Sequence, residues 1–179
     1  MASVQSNCAS LGSSPPPCLG YKAVVALHRQ LSQSSSDLRF NIVVQTYADT
    51  DTLALYFTEA MPGVIANTDH LAPSVVADYD AGGKLVSLDV CSAPRSTPCH
   101  FYDTAEVVDG KPPLAVNWHY NAKSNQLVVL LSVWDSVEGI VSSSVKTDDP
   151  NISLGMDAAG KICAVFVSNP ACNTFTADA

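Results

Sequence analysis

The sequence predicts a mainly β protein: two antiparallel β-meander repeats packed as a pseudo-twofold sandwich or barrel, with a short N-terminal helix. Two observations carry this reading. Asp80-Ala81-Gly82-Gly83-Lys84 returns as Asp157-Ala158-Ala159-Gly160-Lys161. Each copy lies between short apolar runs, Val75–Tyr79 and Leu85–Val90 for the first, Ile152–Met156 and Ile162–Val167 for the second. Asp opening a turn, with Gly three residues on, fits a type I turn closed by a left-handed residue. The carboxylate accepts backbone N–H groups, and Gly tolerates the positive φ.

Taken in order, residues 1–39 form a leading segment. Its first twenty residues, rich in Ser, Pro and Gly, read as a disordered linker or as a Ser-rich, acid-poor organelle-targeting segment. Tyr21, Val24, Val25, His28 and Leu31 recur at helical spacing and predict a short amphipathic helix up to Gln33. The first repeat, 40–91, has strands at Phe40–Tyr47 and Leu53–Phe57, a loop at Asn67-Thr68-Asp69-His70, and the Asp80 hairpin. Residues 92–113 are a Pro-rich linker with enough apolar residues to pack. The second repeat, 114–168, runs Leu114–Tyr120, Leu127–Val133 and the Asp157 hairpin, before a tail at 169–179. Each repeat thus has four strands, and Tyr47 matches Tyr120, Leu53 matches Leu127, and Asp80 matches Asp157.

The repeats differ in what their last strands present. Val86, Leu88 and Val90 make one apolar face, with Ser87 and Asp89 opposite. In the second, Cys163, Val165 and Val167 are matched by an equally apolar opposite face of Ile162, Ala164 and Phe166. The second sheet therefore needs cover on both sides, from the N-terminal helix, the linker or a second chain.

A chain of 179 residues fits one domain or two small lobes. Its net charge of -8 is unevenly spread. Lys22, Arg29 and Arg39 stand against Asp37 alone in residues 1–39, and the rest is strongly acidic. An acidic surface argues against nucleic acid or an anionic membrane as partner. No apolar run approaches the ~20 residues that cross a bilayer. A small apolar molecule, a protein partner or a homodimer fits better. Six cysteines without a CxxC pair or an export signal predict free thiols in an intracellular, cytoplasmic protein, with no zinc and no other cofactor.

Tyr47-x-x-x-Asp51-x-Leu53-x-Leu55-Tyr56, followed by Val75-Val76-x-Asp78-Tyr79-Asp80-x-x-Gly83-x-Leu85-Val86-x-Leu88, resembles a family of small prokaryotic proteins, domain of unknown function 2283. Ser87 replaces the family's usual Gly, and Ala48 its usual Asp. The second repeat diverges, with Asn121, Gly155 and Met156 where acidic and aromatic residues are usual. The resemblance implies a small antiparallel β-rich unit. It brings no activity, cofactor or catalytic residue.

No catalytic or metal signature stands out, so candidate sites rest on local chemistry. Asp78 and Asp80 project to one side of a strand, and Asp49 and Asp51 lie in a turn that would approach them. Such carboxylates suit a cation or acid–base work; equally, Asp80 closes its hairpin and Asp49 and Asp51 cap a turn. Trp118, His119, Tyr120, Trp134 and Tyr47 would line a cavity between sheets, or pack as core. If the repeats face each other, that aromatic wall would meet Asp49, Asp51 and Asp78. Two functions follow. One is a non-catalytic binding or assembly module. The other is a small cofactor-free cyclase or isomerase on an apolar molecule, with His119, Tyr120 or Asp78 as acid–base groups.

Overall fold

The computed structural model describes residues 42–58, 64–132 and 137–170. The predicted helix ending at Gln33, together with Trp134, Cys8, Cys18 and Cys172, lies outside them. Ten strands form two five-stranded antiparallel sheets. The first contains β1 (Val43–Tyr47), β2 (Thr52–Tyr56), β3 (Asn67–Ala72), β4 (Val75–Tyr79) and β5 (Leu85–Val90). The second contains β6 (Asn117–Asn121), β7 (Gln126–Leu130), β8 (Ser143–Lys146), β9 (Ile152–Met156) and β10 (Ile162–Ser168). Strand order is β1-β2-β5-β4-β3 in one and β6-β7-β10-β9-β8 in the other, the same connectivity twice. The strand leaving each Asp hairpin is thus the central one, and β2 pairs with β5 rather than with β3.

The turns are built as their residues dictate. Asp80 Oδ1 accepts the amides of Gly82 (2.8 Å) and Lys84 (2.9 Å). Asp157 Oδ1 accepts those of Ala159 (2.8 Å) and Lys161 (2.8 Å). Gly83 and Gly160 carry φ of +77° and +72°, conformations that cost a side-chain-bearing residue but not Gly.

One hydrophobic core spans both sheets. Leu53, Leu55, Val75, Leu88 and Val90 pack in the same cluster as Val116, Trp118, Leu127, Val129, Val165 and Val167. This is the arrangement of a sandwich, in which alternate residues of two sheets meet face to face. A fully buried Leu contributes roughly 2 kcal/mol, and both sheets place Leu residues in this one core. Between the sheets run α1 (Ala93–Ser96), a single turn, and an extended connection that packs Phe101 and Leu114 on the core.

The structure corrects the reading in three places. The segment Asn67-Thr68-Asp69-His70 is strand β3, not a loop, so each sheet has five strands rather than four. β3 and β8 are edge strands, mostly exposed on both faces. They therefore carry no apolar alternation to read. The register sets Asn121, not Tyr120, where the first sheet has Tyr47, because Tyr47 pairs with Thr52 and Asn121 with Gln126. Finally, Val86 and Cys163 are left unpaired at a bulge in each hairpin. One extra residue reverses the alternation before it, so Leu85 and Ile162 turn toward the core.

The centre of the second sheet's outer face is apolar and covered. Val128, Leu130 and Ala164 pack with Phe166 and with Val137 and Val141 of the β7–β8 connection. Among the described residues that connection supplies the cover, while the 92–113 linker packs on the main core. Gly155 makes the closure fit: a Cβ there would lie 2.9 Å from both Ala164 Cβ and Val141 Cγ2.

Gly155→Ala should therefore destabilise the protein by about 1–3 kcal/mol, the usual range for overpacking a filled site. Denaturant unfolding measures this, and an unchanged midpoint would contradict the closure. Cys91, Cys99 and Cys163 are free thiols, and burial pushes Cys99 and Cys163 up to about 11. Alkylation of the native protein, followed by peptide mass spectrometry, should label half-buried Cys91 first. Cys99 and Cys163 should label only on unfolding.

Candidate functional site

Alternation sends every second residue of the first sheet away from the core. The register sets two rows side by side on this outer face: Gln45, Ala54, Asp89, Val76, His70, and Val43, Tyr56, Ser87, Asp78, Thr68. Unlike the same rows of the second sheet, these carry carboxylates and a phenol. Asp78 is held from both sides, accepting from Thr68 Oγ1 (2.6 Å) and Ser87 Oγ (2.6 Å). The Tyr47 and Tyr56 hydroxyls meet at 2.9 Å, and Tyr47 donates to Gln45 Oε1 (2.5 Å).

Asp89 is the group left over. Its Oδ1 is buried and has no hydrogen-bond partner. Burial, with the Asp78 carboxylate as a second cause, pushes its pKa up to about 6. Tyr56 is shifted upward too, first by burial, then by its bond to Tyr47 and the nearby carboxylates. The five strands of this sheet contain no Lys or Arg. The result is a half-buried carboxylate pair with no cation from its own sheet.

The same register positions in the second sheet are stripped of this chemistry. Gly155 stands where the first sheet has Asp78, Ala164 for Ser87, Leu130 for Tyr56, and Phe166 for Asp89.

Other predicted site residues are not brought together. Trp118 is in the shared core and Tyr120 packs against it, whereas His119 points to the opposite, exposed side across from Val128. Partial burial lowers the His119 pKa. Asp49 and Asp51 lie exposed in the β1–β2 turn, and Asp80 is engaged in its own turn. Asp78 faces outward, so no aromatic wall meets an acidic one across the sheets. Of the predicted set, Tyr47 and Asp78 share the outer face. Asp89, Tyr56 and Gln45 join them there, and the polar side of β5 was their one legible signal.

Cys99 and His100 serve the connection between sheets. The Cys99 thiol donates to the Leu131 carbonyl at 3.1 Å. The Tyr102 amide donates to His100 Nδ1, so the ring's proton sits on Nε2, facing the Glu106 carbonyl at 2.7 Å. Beside the Asp80 turn, an open groove of about 690 Å³ is lined in part by Asp69, His70, Tyr79, Asp148 and Asp149. Tyr79 spans it, donating to Asp149 Oδ2 at 2.7 Å. Among the described residues no group of three or more His, Cys, Asp or Glu is placed to hold a metal ion. No helix among them is long and apolar enough to cross a membrane.

Comparison with known proteins finds a resemblance over the first sheet. The model of a protein of unknown function, DUF2283, matches residues 47–93. That span runs from Tyr47 through β5 and includes Tyr56, Asp78 and Asp89, so the first sheet resembles this family. No curated protein and no solved structure matches the chain.

Asp89 makes stability depend on pH. Its folded pKa lies above the unfolded value, so the carboxyl opposes folding once ionised. Stability should fall as pH rises from about 4 to about 6 and stay lower above that. A shift of this size in a sealed carboxyl would correspond to ~3 kcal/mol. Asp89 is only half-buried, and solvent screening reduces this to about 1–2 kcal/mol. Asp89→Asn should raise the unfolding free energy at pH 7 by that amount and flatten the profile between pH 4 and 6. An unaltered profile in urea titrations would show that Asp89 is solvated.

Proposed function

We propose that the chain is a non-catalytic binding module and that its ligand sits on the outer face of the first sheet. We infer further that one β unit is used twice, the second copy serving as packing partner for the first. One observation carries the reading: the central positions of one register hold Asp78, Ser87, Tyr56 and Asp89 in the first sheet, and Gly155, Ala164, Leu130 and Phe166 in the second. A unit present only for packing gains nothing from a half-buried carboxylate with an unpartnered oxygen. A ligand that donates hydrogen bonds and carries positive charge supplies what Asp89 lacks. Tyr47 and Tyr56 beside it offer ring surface against which a cation packs.

The ligand class that follows is a guanidinium or ammonium group, presented by a protein partner or by a small amine. Hexa-arginine is the simplest probe. Calorimetric titration at low salt should show binding that weakens about tenfold or more when Asp78→Asn and Asp89→Asn are combined, a loss typical of a charge-assisted pair. Asp103→Asn, which removes an exposed charge elsewhere, should leave it unchanged. Equal weakening by all three substitutions would reduce the interaction to net charge and overturn the site.

A further inference from the structure

Resting on that reading, the geometry points to how the same site is regulated: we propose that a proton taken up by Asp89 switches off cation binding on the outer face of the first sheet. The module then holds a cationic partner at neutral pH and releases it in mildly acidic surroundings.

The two carboxylates of this face are built differently. Asp78 pairs with Ser87 across β4 and β5, and Val76 pairs with Asp89. The two aspartates are therefore diagonal neighbours, about 7 Å apart at the backbone. Each oxygen of Asp78 accepts a hydroxyl, Oδ1 that of Thr68 and Oδ2 that of Ser87, both at 2.6 Å. Hydrogen bonds donated to a carboxylate favour its charged form. Asp89 Oδ1 is buried and accepts none. Burial disfavours the charge there, and the Asp78 carboxylate disfavours it further. A proton entering the pair from solvent therefore settles on Asp89, while Asp78 stays ionised. The face then carries one negative charge in place of two.

The groups around Asp89 do not duplicate this response. Across β2 it faces Ala54, with Tyr56 diagonal to it. Burial, then the bond to Tyr47, pushes the Tyr56 phenol upward, away from the acid range. Gln45 lies beyond Ala54 on β1, with Tyr47 two residues further along that strand. Across β4 Asp89 faces Val76, with His70 beyond it on β3. Cys91 follows Asp89 by two residues, just past the end of β5. Histidine is the other residue type here whose charge changes between pH 5 and 8. His70 stands two strands from Asp89, about 10 Å away at the usual strand spacing, and enters the test as a control.

The probe is hexa-arginine with both ends capped, whose guanidinium groups keep their charge at every pH used. Calorimetric titrations at low salt then read changes in the protein alone. With its pKa pushed up to about 6, Asp89 is about nine-tenths protonated at pH 5. Wild-type binding should weaken about fivefold or more from pH 7.5 to pH 5. Asp89→Asn should bind at pH 7.5 as weakly as wild type does at pH 5, with little further change on acidification. Asp78→Asn should bind less tightly throughout but keep the pH dependence, displaced to lower pH because the like charge is gone. By linkage, saturating hexa-arginine should lower the Asp89 midpoint followed by carboxyl-detected NMR. His70→Gln should keep the wild-type profile.

A flat wild-type profile, or an Asp89→Asn profile as steep as wild type, overturns the switch and leaves the binding face standing. A dependence lost in His70→Gln but kept in Asp89→Asn assigns the response to His70 and overturns the proposal. Absence of hexa-arginine binding at pH 7.5 overturns the binding face, and the switch with it. Unfolding midpoints of each variant, recorded at both pH values, show that the profiles belong to folded protein.

Discussion

The whole architecture depends on an aspartate carboxylate closing the turn it opens. Asp80 and Asp157 each fold a hairpin by drawing two amides onto one oxygen, and Gly supplies the left-handed residue that completes it. The strand emerging from each turn becomes the middle of its sheet. Because β5 and β10 are central, their two faces decide what each sheet does. One face of each supplies the core that joins the sheets, and the other is available for chemistry or for further packing.

The bulge just after each turn sets which residues meet which face. Leaving Val86 and Cys163 unpaired lets Leu85 and Ile162 join the apolar side, so the core is continuous up to the turn. Beyond the bulge the pattern is regular, and Ser87 and Asp89 point out of the sandwich where Ala164 and Phe166 do so in the other sheet. Identical backbone pairing thus supports opposite surfaces. In the second sheet, Gly155 removes the side chain that would hold Val141 and Phe166 apart. In the first, Asp78 occupies the corresponding place and binds Thr68 and Ser87 instead. The difference between the acidic centre of one face and the apolar centre of the other comes down to a few side chains on one register.

Much of this was legible because buried strands announce themselves. Val75–Tyr79, Leu85–Val90, Ile152–Met156 and Ile162–Val167 are short apolar runs bounded by Asp-Gly turns, and hydrophobic burial fixes their place. β3 and β8 were not legible for the opposite reason. Each is an edge strand, held by hydrogen bonds to one neighbour and exposed along nearly all its length, and backbone pairing leaves no mark on composition. The bulge was equally silent, since no residue type demands it. The acidic face was half legible: Ser87 and Asp89 stood opposite the apolar side of β5. Asp78 was instead grouped with its neighbours in sequence, Asp80 and the β1–β2 turn, because proximity across strands needs the register.

The energetic position of Asp89 sets it apart from the residues that hold this fold together. At its register position the second sheet has Phe166, which packs with Val128 and Ala164 and contributes to stability. An ionised carboxylate there contributes the reverse, since at neutral pH it is charged, half-buried and lacks a partner for one oxygen. Its neighbour Asp78 accepts from Thr68 and Ser87 and offers Asp89 no donor, and a second negative charge nearby adds to the cost. A lone oxygen in that state attracts any donor able to reach it, a cationic one most of all. The first sheet is therefore stable because of its inner face and in spite of its outer one. On the proposed reading, a cation bound to the folded protein alone would offset that cost, and stability would rise with its concentration.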